Sequence, residues 1–392
     1  MNILVLNCGS SSAKFAVIDA TTGDERVSGI AQRLNSGEAS LDWKLDGHKH
    51  TRALPGAGHD RCLRAAVEVL GELGLLAGLA GVGHRVVHGG SRFSASIRIT
   101  PEVVSEVEAC IPLGPLHNPP NLLGISIAHE LFPALPQVAV FDTAFHQTMP
   151  PRAYTYAVPH AWLEEHEVRR YGFHGTSHRF VAEAAVAALG LDPTDHALVT
   201  AHLGNGASAT AVRDGRSVDT TMGLTPLEGL VMGTRSGSVD PAIIGHMARA
   251  LDVAPTQILD ALNKQSGLLG VSGLSNDLRT LEEAAGRGHA RARLAIDVFS
   301  YVLAKAIAAL VVPLGRLDAV VFTGGIGENS SLVRAQVLTQ LAFLGLDLDA
   351  EANARCVRGV SGRITTSTRP QAVVVPTNEE LLIARDTAAL IS

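Results

Sequence analysis

Three glycine-rich turns each follow a short apolar run: Asn7-Cys8-Gly9-Ser10-Ser11-Ser12, His202-Leu203-Gly204-Asn205-Gly206-Ala207 and Gly324-Gly325-Ile326-Gly327-Glu328-Asn329. Small residues let backbone N–H groups approach phosphate oxygens, and a helix that starts at such a turn adds partial positive charge. One turn of this kind is usually only a turn, whereas three in one chain point to a nucleotide site. Five polar clusters accompany them, at residues 84–90, 116–119, 141–146, 169–175 and 232–237, and they carry Arg85, His117, Asp142, His174 and Arg235. Singly, each His or Arg reads as a structural donor or a solvated group. Together they set several donors beside glycines, which is what transfer of a phosphoryl group to another anion requires. Two unit charges ~4 Å apart repel by on the order of 4 kcal/mol at an effective dielectric of about 20, so arginine forks and a metal ion must offset the repulsion.

The elements that must hold these groups alternate between strand and helix patterns, which makes the class α/β. Strands are expected at residues 3–6, 13–19, 85–88, 137–141, 197–200, 208–214, 319–322 and 372–375. Helices are expected at 60–70, 101–110 after a cap at Thr100, 119–131 after Asn118, 178–189, 241–251 after Asp240, 290–310 and 332–344. A last helix runs to the C-terminus from Thr377 and Glu380, which have capping-box spacing. Shifted by 195 positions, Gly9 meets Gly204, Ala16 meets Ala211, Val17 meets Val212 and Asp19 meets Asp214. Strand, small-residue turn and strand repeat with them, so the chain reads as two similar halves facing a cleft.

The 392 residues are enough for two domains, and 46% hydrophobic positions exclude disorder. Lys plus Arg is 32 against 38 for Asp plus Glu, so the net charge of −6 argues against gripping nucleic acid by bulk charge. Cys8, Cys62, Cys110 and Cys356 form no CxxC pair, which suits a reducing cytoplasm better than a zinc site or a disulfide framework. The run at 3–6 is too short for a signal peptide, and the run at 306–314, with Lys305 at its edge and Pro313 inside, falls short of a membrane span. A soluble protein is expected.

Familiar motifs fail on context. Residues 204–209 match the Gly-x-Gly-x-x-Ala dinucleotide pattern, but a strand pattern follows where a helix is needed. The sequence has no P-loop Gly-Lys-Ser/Thr, no His-Glu-x-x-His and no Gly-x-Ser-x-Gly elbow.

Over essentially its whole length the sequence resembles the acetate kinase family, through motifs at 7–14, 84–90, 115–118, 141–146, 169–178, 202–208, 225–240, 263–273, 324–329 and 377–385. The resemblance implies two duplicated actin-like ATPase domains, as in sugar kinases, Hsp70 and actin, flanking an ATP cleft. It places residues 1–146 plus the C-terminal helix 379–392 in one domain and 147–378, with the adenosine site, in the other. It implies ATP/ADP as co-substrate, Mg2+ with Mn2+ as a substitute, a cytoplasmic homodimer, and no nucleic-acid or membrane partner. Arg85, Asp142, His174 and Arg235 match catalytic positions, with Asp142 expected to orient Arg235 or metal-bound water. Val87, Leu116, Phe173 and Pro226 match the pocket for the acetate methyl, beside His117. Asn7 and Glu379 match the metal site; alone, Glu379 would pass as a first-turn glutamate favoured by the helix dipole. Ser10, Ser12 and Lys14 match the first phosphate turn. His202, Leu203, Gly204, Asn205 and Gly206 match the second. Asp277, Leu278 and Arg279 match nucleoside contacts, and Gly325, Ile326, Gly327, Glu328 and Asn329 match residues bracketing adenosine.

The implied reaction is reversible phosphorylation of acetate to acetyl phosphate by direct in-line transfer. Propionate or butyrate kinase is the near alternative, because one methylene changes discrimination by only about 1–3 kcal/mol. A nucleotide-switched binding module is the rival from another class. Arg85, Arg235, His174 and Asp142 argue against it, since a switch needs no anion-pairing groups on an acceptor side.

Overall fold

The computed structural model describes residues 1–45 and 47–392. The chain divides into two compact units, Met1–Gln147 with Asn378–Ser392, and Thr148–Thr377.

In the first unit, β1 (Asn2–Cys8), β2 (Ser12–Asp19), β3 (Glu25–Gln32), β4 (Ser40–Leu45), β5 (His48–Ala53), β6 (Leu79–Val86), β7 (Ile97–Arg98) and β8 (Gln137–Phe141) form one sheet in the order β5-β4-β3-β2-β1-β6-β8-β7. In the second unit, β9 (Ala197–Leu203), β10 (Ala207–Arg213), β11 (Arg216–Thr220), β12 (Ala319–Thr323), β13 (Gly362–Arg363) and β14 (Gln371–Val374) run β11-β10-β9-β12-β14-β13. The series β3-β2-β1-β6-β8 and β11-β10-β9-β12-β14 have the same pairing, two antiparallel steps followed by two parallel ones. The duplication read from two hairpins therefore extends to five strands.

The central parallel strands are covered on both faces, so they read as unbroken apolar runs: Ala319, Val320, Val321 and Phe322 of β12 are all 0% exposed. Two glycines in β6 let the C-terminal helix Glu379–Ile391 lie close on the sheet. A Cβ at Gly81 would fall 2.7 Å from the Ile391 side chain, and one at Gly83 2.7 Å from that of Ile383. That close approach brings the start of the helix to the C-terminal end of β6.

Several local expectations change. Thr100 caps Pro101–Ala109 as expected, its side chain accepting from Val103 N. Asn118, however, is the first residue of Asn118–Leu131 rather than its cap, because its buried amide is used elsewhere, accepting from His88 N and donating to His88 O. Asn378, not Thr377, caps the last helix, through a 2.9 Å bond from Leu381 N, while Thr377 Oγ1 pairs with Ser177 Oγ. The helix expected over 332–344 is Ser331–Gln340, and the chain tightens into a 3-10 turn at Ala342–Leu344. The strand expected at 85–88 is the end of β6, which leaves Val87 just beyond the strand.

The run at 306–314 belongs to a 25-residue helix, Ala290–Leu314, which by length and hydropathy is long enough to cross a membrane. Pro313 sits in its last turn, where Gly315 ends it in the left-handed region. The helix buries Phe299, Leu303 and Ile307 in the second unit while keeping Asp297 and Lys305 along its length, the pattern of a core helix.

Candidate active site

In the first unit the polar residues meet at the ends of parallel strands. Arg85 is the penultimate residue of β6 and Asp142 directly follows β8, with Asp142 N bonded to Val86 O. Arg85 Nε donates to Asp142 Oδ1 at 3.0 Å while Nη2 bonds Oδ2, a two-point fork onto a carboxylate only 1% exposed. Nη1 donates to Asn7 Oδ1 at 3.3 Å, and Glu379 Oε2 lies 3.6 Å from Nε. Burial opposes the guanidinium charge, yet Asp142, Glu379 and Glu380 outweigh it and hold Arg85 above its ordinary pKa. Burial pushes Glu379 above the usual carboxylate range, against the pull of Arg85 and Lys14. The half-buried Glu379 carboxylate and the Asn7 amide oxygen, both against Arg85, are oxygen donors of the kind a hard cation that keeps most of its water takes. No cluster of three or more His, Cys, Asp or Glu suited to a metal occurs among the described residues, so such an ion would have few protein ligands.

Residues that no sequence pattern singled out fix the first glycine-rich turn. His59 Nε2 pairs with Gly9 O at 2.7 Å, and Asn121 bridges Cys8 O and Val87 N. Ser10 and Lys14 are exposed, Ser12 is half-buried at the start of β2, and Lys14 stands opposite Asn7 in the hairpin register. Of the acyl-pocket candidates in this unit, Val87 is 7% exposed and Leu116 62%. His117 is the N-cap residue of Asn118–Leu131.

In the second unit His174 occupies the left-handed region, with φ 57°, at the start of helix Gly175–Leu189. Its Nδ1 pairs with Ser208 Oγ at 2.8 Å, Ser208 Oγ with His178 Nε2 at 2.8 Å, and His178 Nδ1 with Thr200 Oγ1 at 2.7 Å. His202 lies 4.4 Å from His174 ring to ring, and its Nδ1 is held by Ser177. A Cβ built on Gly206 would stand 3.3 Å from His174 Nε2 and 3.6 Å from Arg235 Nη1, so the glycine turn underlies both groups. Arg235 donates to Pro226 O at 3.4 Å, and burial draws its pKa below the ordinary value. Arg235 makes no ion pair among the described residues, whereas Arg85 engages the Asp142 carboxylate. Within its own unit Asp142, expected to orient Arg235 or metal-bound water, engages Arg85, a pairing the sequence did not reveal. Phe173 is buried and Pro226 half-buried.

A cavity of about 790 Å3 opens in the same unit. Gly204, Asn205, Asp277, Leu278, Arg279, Gly325, Ile326 and Asn329 line it, joined by Asn276, Glu282, Ser330, Val357 and Arg358, which sequence reasoning missed. Asn276 braces Asn205 at 3.0 Å, and Arg358 N donates to Asn329 Oδ1. Asp277 caps helix Leu278–Gly286 and pairs with the exposed Arg279. Leu203, Gly206, Gly327 and Glu328 do not face the cavity. Glu328 instead accepts from Gly324 N and Thr377 N, and Gly327 O accepts from Arg334. Arg334 is 0% exposed and also donates to Asn353 O and Cys356 O, which ties the glycine turn to the segment that ends at Arg358.

The Acetokinase family profile matches residues 2–385. The acetate kinase of Deinococcus radiodurans is 55% identical over 388 residues, covering 99% of this chain and 98% of the relative. The acetate kinase of Chromobacterium violaceum is 54% identical over 389 residues, with the same coverage. Among solved structures, a propionate kinase from Francisella tularensis superposes with a TM-score of 0.95 at 44% identity, covering 99% of each chain. Porphyromonas gingivalis acetate kinase superposes with a TM-score of 0.95 at 42% identity, covering 100% of each chain.

Proposed function

The chain belongs to the acetokinase family, and from that premise we propose how its residues carry out the activity of an acetate kinase, a phosphotransferase with a carboxyl group as acceptor. ATP and acetate are the substrates. An acetate oxygen attacks the γ-phosphorus, the bond to the β,γ-bridging oxygen breaks, and ADP leaves as acetyl phosphate forms. A carboxylate is already deprotonated at neutral pH, so no general base is needed. The protein's task is to position reactants and neutralise charge, as in phosphoryl transfer generally.

Arg85, locked by Asp142, offers a fixed cationic edge to the acetate carboxylate. Arg235 and His174 bind the oxygens of the moving phosphoryl group. The hydroxyl-linked series Thr200, His178, Ser208 and His174 holds the His174 ring at Nδ1 with Nε2 at the glycine turn. Asn7 and Glu379 would hold Mg2+ with their side-chain oxygens, and when bound the ion would supply positive charge against the phosphates. The 790 Å3 cavity takes the nucleoside, with the turns at 9–12 and 204–206 serving the phosphates. Val87, Leu116, Phe173 and Pro226 shape the acyl site, and transfer proceeds in line without a phosphoenzyme. A cytoplasmic homodimer completes the reading. The observation that carries it is an arginine with no carboxylate partner among the described residues, Arg235, set with His174 around a glycine turn in a chain of this family.

The propionate kinase likeness makes propionate a second reading. Initial rates with acetate, propionate and butyrate under MgATP, with hydroxylamine trapping of the acyl phosphate, decide between them. Acetate should give the highest kcat/KM. A propionate optimum replaces the substrate, and no acetate-dependent hydroxamate overturns the function.

A further inference from the structure

We propose that Glu228, with Tyr156 and Arg170, is a positioning residue that sets Arg235 for phosphoryl transfer, a role that rests on the reading of Arg235 given above. Arg170 Nη2 donates to Glu228 Oε1 at 2.8 Å, and the Tyr156 hydroxyl bonds the other carboxylate oxygen. The pair is partly withdrawn from solvent, with Arg170 18% and Glu228 33% exposed. A two-sided, partly buried grip of this kind fixes a side chain far better than an exposed ion pair does.

The grip closes on one loop. Arg170 Nη1 donates to Thr220 O at 2.9 Å and Thr221 O at 3.1 Å, while Leu224 N donates to the Tyr156 hydroxyl at 2.9 Å. Gly223 O accepts from Tyr171 N, beside the Phe173-His174 pair. Residues 220–228 are thus bonded at both ends and in the middle to the segment that presents His174. No side chain fits at Gly223, where a Cβ would fall 2.8 Å from the Glu228 carboxyl carbon.

Two routes lead from this loop to Arg235. Pro226, inside it, supplies the carbonyl that accepts from Arg235 Nη1 at 3.4 Å. Gly229, next after Glu228, is the base of the loop that carries Arg235: its N donates to Ser238 Oγ at 3.0 Å and its O accepts from Ser238 N at 3.0 Å. Gly237, with φ 70°, closes that base against Gly229 O, 2.6 Å from where a Cβ would stand. Arg235 has no carboxylate of its own to orient it among the described residues, so its direction is inherited from this loop. Glu228 itself does not line the 790 Å3 cavity.

The test uses full-length Glu228→Ala, Tyr156→Phe, Glu228→Gln and Arg235→Ala, with each of the first two also combined with Arg235→Ala. A displacement of about 1 Å at a catalytic group can cost ~100-fold, so Glu228→Ala and Tyr156→Phe should each lower kcat by roughly 10- to 100-fold, with KM for ATP unchanged within about twofold. Glu228→Gln, which keeps size and an acceptor for Arg170, should recover most of the loss. In the Arg235→Ala background, adding either change should alter kcat by less than about twofold, because the group being positioned is gone. Full activity in Tyr156→Phe and Glu228→Ala overturns the inference, as does a loss that adds in full to that of Arg235→Ala. If Glu228→Ala does not fold, Tyr156→Phe still decides. An active Arg235→Ala overturns the underlying reading instead, and the inference with it.

Discussion

Asp142 accepts from both Nε and Nη2 of Arg85, which locks a guanidinium at the end of β6 to a carboxylate at the end of β8. The two strands are parallel neighbours, with Arg85 opposite Val140, so the sheet itself sets the distance between charges. Replacing Asp142 with Asn leaves a guanidinium facing a neutral amide. Breaking one side of a buried pair costs on the order of 3–5 kcal/mol, and freeing the arginine should lower kcat by roughly 100-fold. Urea unfolding and initial rates measure both effects. A stable, fully active Asp142→Asn contradicts the assignment.

Arg235→Lys should not restore the activity lost in Arg235→Ala. Lysine keeps the charge but not the planar fork, and arginines of this kind are worth about 10³-fold or more in turnover. Steady-state kcat for the two variants is the measurement, and near-normal turnover with lysine removes the role given to the fork.

Glu379→Ala should impair magnesium use more than folding. Asn378 caps the helix and stays in place, so the structural loss should remain within about 1 kcal/mol. Thermal melting together with a magnesium titration of the rate separates the effects. A large loss of melting temperature with an unchanged magnesium dependence refutes the metal role.

His84, next to Arg85, carries a pH signature. Burial, opposed by its hydrogen bond to Gln137, lowers its pKa from 6.5 to about 4. The unfolded chain therefore takes up this proton first. The stability it contributes is complete above pH 6.5 and is lost as pH falls toward 4, by roughly 3 kcal/mol in all. Urea midpoints between pH 7 and 4 should fall less steeply in His84→Gln than in the parent chain. Parallel curves mean that His84 does not titrate in this way.

The hairpins and the duplication were legible because they are local: alternation in 13–19 and 208–214, and glycine just before it at Gly9 and Gly204. The edge strand β5 was not, since it is exposed at every residue but Arg52 and carries no alternating apolar face. Most site residues were legible only through a family resemblance. The groups that hold them were silent, because His59 meets Gly9 across 50 positions and Asn121 meets Cys8 across 113. A pairing at such separations leaves no periodic trace. Thr377 misled for the reverse reason: a good local capping pattern lost to Asn378 once its hydroxyl bonded Ser177, 200 positions away.

Direct transfer to acetate is tested most plainly by a single turnover of the full chain with γ-phosphorus-labelled ATP and magnesium, quenched with and without acetate. With acetate, label should pass from ATP to hydroxylamine-sensitive acetyl phosphate at the rate ADP appears. Without acetate, the protein should carry no label. A stoichiometric labelled protein formed from ATP alone, chased into acetyl phosphate when acetate is added, would contradict the account.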